Sequence, residues 1–339
     1  MTDSSNLPQP ARRARTVLSQ ISVRAWEHPA DRAALNALRA IPGFDEVVRK
    51  IYGFFGERGV RLFFQANAVR VGATQFPKLD AAMNDVCATL DWQRPELFVT
   101  QTPFVNAGAY GMDRPFIVVN SATLGMLDDD EMHALLGHEL GHIMSGHALY
   151  HTILVLLLTL GLRNLPFLAG IAILPIQIAL MEWYRKSEIS CDRAGLLASQ
   201  DPVSTLRKFM KMAGGGSVEE MDLNAFLTQA KEYEAGGDAV DAVAKILNTI
   251  WMTHPFHTLR AAELQRWIEA GEYDRILRGE YPRRGSQDEQ KPLVDDLKEA
   301  GDYYADQAKG AVETVAEVAQ KARDAFWSAF RGGGGSGTR

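Results

Sequence analysis

A cluster of histidines between residues 133 and 151 is the strongest constraint on how this chain can fold. Five of the eight histidines lie there, in and just after the stretch DDDEMHALLGHELGHIMSGH. Asp128 and Glu131 have the spacing of a helix N-cap and its capping-box partner, so a helix is predicted to begin directly after Asp128. On this helix His138 and His142 lie one turn apart on one face, where both rings can bind the same metal ion. The alternative is two ordinary helix residues that share a face by chance.

Two carboxylates extend the pattern toward a complete metal site. Glu139 points to the neighbouring side of the helix, where a carboxylate can take a proton from a water molecule on the metal. Glu188, in SEISCDRAG on a second predicted helix, is the expected third ligand. Asp192, one turn later, can accept a hydrogen bond from a ligand histidine. Glu182 is the rival third ligand, although it faces another side of its helix. His147 is expected on the first helix, one turn past the site, in a supporting role.

Cysteine content and charge exclude several classes of protein. Cys87 and Cys191 are the only cysteines, so neither a disulfide framework nor a cysteine-built zinc site is available. The net charge of -6 gives no basic field, which argues against nucleic-acid binding. A hydrophobic content of 46% is that of a globular protein.

The beginning of the chain reads as a polar arm. Residues 1–25 contain Pro and Arg residues and no apolar run, which predicts a flexible arm rather than a secretory signal or a membrane anchor. We therefore expect a cytoplasmic protein that is not secreted.

Residues 26–283 are predicted to form one compact domain that is mainly helical with a small antiparallel sheet, an α+β fold. Helical spacing follows Asp31, and a further helix is predicted over residues 76–90. Val-, Phe- and Tyr-rich runs at 96–101, 104–110 and 115–120 predict strands that pair antiparallel. The strand near residues 116–119 is the expected edge on which an extended peptide could add.

Two apolar segments have open interpretations. Residues 152–181 carry Arg163 as their only formal charge and predict a helical hairpin, either buried in the core or in contact with a membrane. Residues 284–339 predict an amphipathic helix over 294–330, followed by a Gly-rich tail. This helix could pack against a partner helix or against the hairpin.

Several motifs arrive in an order that resembles a known family. VNAGA precedes a hairpin, HELGH is followed by His147, SEISCDRAG carries an acidic helix pattern, and THPFHTLR lies near the end of the domain. Together they resemble the HtpX-like and Oma-type zinc metallopeptidases, the gluzincin family that also contains the type 1 CAAX prenyl proteases. The resemblance covers roughly residues 26–283. Cys191 stands where that family usually has alanine, and the N-terminal membrane spans of HtpX-like members have no counterpart in this chain.

The resemblance implies a zincin-like fold and a zinc endopeptidase that acts on polypeptides. His138, His142 and Glu188 would hold Zn2+, with Glu139 as the general base. Three further residues gain roles only from the resemblance: Asn106 and His254 would contact the substrate or the developing oxyanion, and Arg260 would orient the region around Glu188.

Peptide-bond hydrolysis in unfolded or membrane-associated polypeptides is therefore the leading functional hypothesis. One alternative is a non-catalytic, membrane-associated scaffold with a structural metal, although such a site needs no base beside its ligands. The other is a zinc amidase that acts on a small substrate, which a narrow pocket would favour.

Overall fold

The computed structural model describes residues 14–160, 165–171, 173–235 and 256–286. Within these residues the helices are α1 Pro29–Arg39, α2 Phe44–Gln65, α3 Pro77–Thr89, α4 Ser121–Met126, α5 Asp129–Met144, α6 Ala148–Leu160, α7 Ile173–Ser199, α8 Pro202–Gly214, α9 Leu223–Ala235, α10 His257–Glu269 and α11 Glu272–Leu277. The strands are β1 Ala68–Arg70, β2 Glu96–Thr100, β3 Ala107–Tyr110 and β4 Phe116–Asn120. The predicted fold class, mainly helical with a small sheet, is confirmed. His254 and the predicted helix over 294–330 lie outside the described residues.

The sheet is mixed, which corrects the expected antiparallel pairing. Its order is β1-β2-β4-β3. β3 and β4 form the expected antiparallel hairpin, but β4 pairs parallel with β2. Residues 101–106 lead from β2 to β3, and β3 does not pair with β2. β4 follows β3 in the sequence and occupies the position next to β2. The strand at 116–119 is therefore interior, and β3 is the edge strand beside the histidine helix.

One core packs α3, α5, α8 and the C-terminal half of α7 against the sheet. α5 is buried on almost every side, and α7 is its closest neighbour. A Cβ atom on Gly195 of α7 would lie 2.5 Å from the Ala134 carbonyl oxygen of α5. A Cβ atom on Gly137 of α5 would overlap the Cβ of Ala198. Glycine weakens an isolated helix, but at these positions it lets the two backbones approach closely.

A second core packs the predicted hairpin against α1 and α2. The hairpin consists of α6 and the N-terminal half of α7, and its buried side chains include Leu154, Leu157 and Leu180. Leu158 and Leu174 are 39% and 57% exposed. Within the described part of the chain, no single helix has the length and apolar character to cross a membrane, although α5 and α6 together pass that test as a pair bent by 98°.

The bend between α5 and α6 corrects the expectation that the first helix runs on through His147. α5 ends at Met144, and Gly146 adopts a φ of +71°, a conformation that favours glycine. The backbone N–H of His147 then donates to the His142 carbonyl over 2.8 Å. This turn brings His147 back toward the histidine pair.

The expected flexible arm is wrong for residues 14–25. Leu18 and Ile21 are buried in the first core. The Leu18 N–H donates to the Thr89 carbonyl at 2.8 Å, and the Ser22 N–H donates to the Pro282 carbonyl at 3.0 Å. Apolar side chains inside a polar segment thus tie this part of the chain to the domain, while residues 1–13 lie outside the described ranges.

Candidate metal centre

The N-terminus of α5 is fixed by the predicted capping box. Asp128 Oδ1 accepts from the Glu131 N–H at 3.0 Å, and Glu131 Oε2 accepts from the Asp128 N–H at 2.9 Å. Glu131 is fully buried and also accepts from Arg207 Nε and Lys211 Nζ of α8, both at 2.6 Å. These bonds fix the start of the helix that carries both histidines.

His138, His142 and Glu188 meet between α5 and α7. His142 Nε2 lies 3.1 Å from His138 Nε2 and 3.1 Å from Glu188 Oε1, and His138 Nε2 lies 3.5 Å from Glu188 Oε2. Their donor atoms all fall within 4.8 Å of one another. Two imidazole nitrogens and a carboxylate oxygen that converge in this way match the donor set of a catalytic zinc site.

The surroundings of the two histidines shift their pKa values in opposite directions. Burial lowers the pKa of His138, but the charge of Glu188 and the hydrogen bonds to Asp192 and Glu188 outweigh it and raise the pKa to about 9. Burial lowers the pKa of His142 to about 3, although its hydrogen bond to the Glu188 carboxylate acts in the opposite direction. His142 is therefore neutral at pH 7, as a metal ligand must be.

Asp192 and Arg260 form the layer behind the candidate ligands. Asp192 Oδ1 lies 2.9 Å from His138 Nδ1, the contact predicted for a residue that fixes the histidine tautomer. Arg260 Nε and Nη2 donate to Asp192 at 2.7 and 2.6 Å, and Arg260 Nη1 lies 3.0 Å from Glu188 Oε2. Burial raises the pKa of Asp192, but Arg260 and His138 outweigh it and lower the pKa well below its usual range.

Glu139 is a buried carboxylate beside His138. Among the residues that the structure describes, its Oε2 has no hydrogen-bond partner. Burial raises its pKa to about 7, with a smaller contribution from Glu188, while His138 and Lys208 act in the opposite direction. A carboxylate with a pKa near neutrality and an unoccupied oxygen can exchange a proton with a neighbouring water or substrate.

Two residues near the candidate ligands were not assigned from the sequence. Lys208 of α8 is buried, with Nζ 4.0 Å from Asp192 Oδ1, and burial lowers its pKa to about 8. The Tyr184 ring stacks on the His151 ring at 4.3 Å and lies parallel to the His142 ring at 5.8 Å. Tyr184 lies one turn before Glu188 on α7, a spacing that could have identified it. Lys208 follows Arg207 in a helix of mixed polar and apolar residues, so no local signal in the sequence identified it.

The remaining predicted residues fall in different places. His147 Nδ1 lies 3.3 Å from His142 Nδ1, behind that ligand. Cys191 is fully buried, burial raises the pKa of its thiol well above the usual value, and its Sγ lies 3.6 Å from His147 Nδ1. Asn106 lies just before the edge strand, where its Oδ1 accepts from the Ala107 N–H at 2.9 Å.

The geometry defines a class of protein. A helix that carries His-Glu-x-x-His, together with a carboxylate from a second helix and a base beside the ligands, is the arrangement of zincin-like metallopeptidases.

Comparison with known proteins identifies the family. The family model described as Peptidase family M48 matches residues 73–268. Over 258 residues the chain is 32% identical to "Plastoglobule-localized metallopeptidase 48, chloroplastic" of Arabidopsis thaliana, which covers 75% of each protein. Over 252 residues it is 25% identical to a "Protease HtpX homolog" of Burkholderia thailandensis, covering 66% of this chain and 84% of the relative. No solved structure gives a significant match. The chain belongs to peptidase family M48, whose members are metal-dependent and hydrolyse peptide bonds.

Proposed function

We propose that this protein is a zinc metalloendopeptidase in which His138, His142 and Glu188 hold the metal and Glu139 is the general base. The single observation that carries the proposal is the convergence of these donor atoms next to a buried carboxylate with an unoccupied oxygen. A zinc ion bound there would supply Lewis-acid activation of a water molecule and of the scissile carbonyl. Glu139 accepts the proton as the water attacks, and it then delivers that proton to the leaving nitrogen.

The edge strand β3 supports a polypeptide as the substrate. The Asn120 N–H donates to the Asn106 carbonyl at 3.0 Å, so by antiparallel alternation Ala107 and Ala109 direct their backbone groups away from β4. The Ala107 N–H is taken by Asn106, and the Ala109 carbonyl accepts from His151 Nδ1 at 3.1 Å. Within the described residues no backbone hydrogen bond uses the Ala107 carbonyl or the Ala109 N–H, so an extended peptide could pair with them once the elements that bury this edge have moved.

Burial of the site favours unfolded over folded substrates. His138, Glu139, His142 and Glu188 are each 4% exposed or less, so covering elements must move apart before a peptide bond reaches Glu139. A single extended strand needs a narrower opening than a folded surface does. The same burial would suit an amidase with a small substrate, which is therefore the second candidate.

We further propose that the protein is cytoplasmic and touches a membrane surface through the hairpin at 152–181. Leu158, Leu174 and Ile178 of that hairpin are exposed, and apolar side chains of this kind can enter the interface of a bilayer. The name of the Arabidopsis relative locates that protein at plastoglobules.

Substitution of the base tests the catalytic assignment. Glu139→Gln should lower kcat on an unfolded protein such as casein by about 10²- to 10⁴-fold while one zinc per chain is retained. Glu182→Gln, which changes the exposed rival carboxylate on α7, is the matched control and should leave both activity and zinc content unchanged. Full activity of the Glu139 variant with unchanged zinc would falsify the mechanism.

The same assays separate the substrate classes and the oxyanion contacts. An endopeptidase cleaves casein internally, whereas the amidase would act only on small acylated amino acids. Asn106→Ala and His254→Ala should each lower turnover by about 10²- to 10³-fold without loss of zinc. Zinc loss in either variant would instead identify that residue as a ligand.

A further inference from the structure

Asp31 is a buried carboxylate whose position the proposed reaction does not explain. It lies in the first turn of α1 and is 1% exposed. It also precedes residues 73–268, the part of the chain that the family model matches. An ionised carboxylate at such depth requires partners that compensate for its lost hydration.

The partners of Asp31 connect it to the elements of the metal centre. Trp183 Nε1 donates to Asp31 Oδ1 at 3.0 Å, and Ser190 Oγ donates to Oδ2 at 2.7 Å. Both residues belong to α7, which also carries Glu188. His147 Nε2 lies 3.3 Å from Asp31 Oδ2.

His147 continues the connection to a proposed ligand. Its other nitrogen, Nδ1, lies 3.3 Å from His142 Nδ1. His142 Nε2 faces Glu188 Oε1 and His138 Nε2, both at 3.1 Å. Nε2 of His142 is therefore the atom available to a metal, and Nδ1 is the atom available to His147.

Cys191 Sγ also lies near His147 Nδ1, at 3.6 Å, but the His142 contact is shorter, at 3.3 Å, and it favours one arrangement of protons when a metal is held. His142 must present the Nε2 lone pair, so its proton resides on Nδ1 and is donated to His147 Nδ1. His147 then accepts on Nδ1 and carries its own proton on Nε2, which faces the carboxylate of Asp31. Asp31 thereby fixes the tautomer of His147, and His147 fixes that of His142.

We propose that Asp31 is a positioning residue that orients the ligand His142 through His147. The two ligand histidines then have equivalent support: Asp192 contacts His138 directly, whereas Asp31 reaches His142 through one imidazole. This inference rests on the proposed ligand set. It also means that α1, which lies outside the residues that the family model matches, affects metal affinity through His147.

A second metal site is the competing explanation for the same residues. Glu27, Asp31 and His147 offer donor atoms within 4.8 Å of one another. Both oxygens of Asp31 already accept hydrogen bonds from α7, which favours the positioning role. Zinc stoichiometry distinguishes the two explanations.

The test compares zinc affinity in Asp31→Asn and in the unchanged full-length chain, by competition with a chelator. Loss of the carboxylate should weaken zinc binding by about 10- to 100-fold. The visible absorption of the cobalt-substituted protein should also change, because that spectrum reports the geometry of the ligands. Leu38→Ala is the matched control, since it removes a buried apolar group from the same helix. It should lower Tm without changing zinc affinity or the cobalt spectrum.

A second variant tests whether the effect passes through the imidazole. In a His147→Ala background, Asp31→Asn should cause no further loss of zinc affinity, because the connection is already broken.

Three results would overturn the inference: zinc affinity of Asp31→Asn within twofold of wild type, an equal loss of affinity in Leu38→Ala, or two zinc ions per chain of which Asp31→Asn loses one. Wild-type protein that binds no zinc would instead overturn the proposed function together with this inference.

Discussion

Buried charges near the ligands are paired within a single layer of side chains. Glu188 and Asp192 share the guanidinium of Arg260, and Lys208 Nζ lies 4.0 Å from Asp192 Oδ1. Unpaired, these groups would cost several kcal/mol each on burial. His138, with its raised pKa, carries a further positive charge in the metal-free chain. Metal binding at neutral pH should therefore release a proton.

His28 gives a prediction about pH and stability. It is the N-cap of α1, and its Nδ1 accepts from the Ala30 N–H at 3.1 Å. Burial lowers its pKa to about 2, with help from the charges of Arg193, Lys186 and Arg266. In the folded state His28 therefore stays neutral at a pH where the imidazole of the unfolded chain, with a pKa of about 6.5, binds a proton. Because protonation favours the unfolded chain, the free energy of unfolding falls as the pH drops below about 6.5.

Replacement of His28 by Asn keeps a favourable N-cap and removes the titration. Between pH 7 and pH 5 the wild-type chain should lose about 2 kcal/mol more unfolding free energy than His28→Asn. Urea unfolding of both proteins in the presence of a chelator measures the difference. Identical losses in the two proteins would exclude a neutral buried His28.

The sequence identifies residues that meet through regular spacing and misses those that meet through the fold. His138 and His142 follow from one helical turn, and Asp192 follows from its distance to Glu188 along α7. Asp31 reaches the site only because α1 packs on α7, more than a hundred residues later in the chain. Local spacing cannot encode such a contact.

At the scale of elements, the close approach of α5 and α7 sets the spacing of the ligands. Gly195→Ala would bring a methyl group against the Ala134 carbonyl and within 3.4 Å of His138 Cβ. Because backbone blocks the new methyl group, the helices must separate. We expect a loss of about 1 to 3 kcal/mol in unfolding free energy. Weaker zinc binding should accompany it.

Gly125→Ala is the control for this substitution. Gly125 lies in α4, and a Cβ atom there would meet nothing within 4 Å. It should be neutral or more stable by up to about 1 kcal/mol, with unchanged zinc affinity. Urea unfolding and chelator competition on both variants provide the comparison. If Gly195→Ala changed neither the free energy of unfolding nor the zinc affinity, the close spacing of α5 and α7 would not be required for stability or metal binding.

Element prediction succeeded where local signals were unambiguous. The capping box at Asp128 placed the start of α5 correctly, and the turn residues before β4 placed the β3–β4 hairpin. The break at Gly146 was missed because the apolar pattern continues on both sides of it. The parallel pairing of β2 with β4 was missed because pairing order depends on the path of residues 101–106.

At the scale of the whole molecule, α7 joins two cores. Ile176 and Leu180 belong to the core with α1 and α2, whereas Leu196 and Leu197 belong to the core against the sheet. Glu188 lies between these sets, so the proposed metal centre lies where the two cores meet.

Membrane association is a prediction about the outer surface of the second core. Full-length protein should sediment with vesicles of neutral phospholipid. Replacing Leu158, Leu174 and Ile178 together by Ser should abolish sedimentation, because each loses apolar area that could enter the bilayer. Val203→Ser, at an exposed position on α8, is the control and should sediment as before. A wild-type protein that stays in the supernatant would contradict the proposed contact.

The extent of the folded domain also exceeded the sequence prediction. Residues 14–25 read as polar, yet Leu18 and Ile21 are buried, and Arg284 Nη1 donates to the Ile21 carbonyl at 3.0 Å. Val17, Leu18, Ile21 and Val23 are interspersed with polar residues and form no apolar run, so composition alone could not distinguish this segment from a tail.

The contacts that hold Glu131 in place fix the number of residues between it and the histidine pair. Glu131 is held by Arg207 and Lys211, and His138 follows two helical turns later on the same face. Insertion or deletion of one residue between them would rotate the histidine pair by about 100° about the helix axis and shift it by about 1.5 Å, away from Glu188. Homologous sequences should therefore tolerate insertions in loops such as residues 101–106, and carry none between Asp128 and His142.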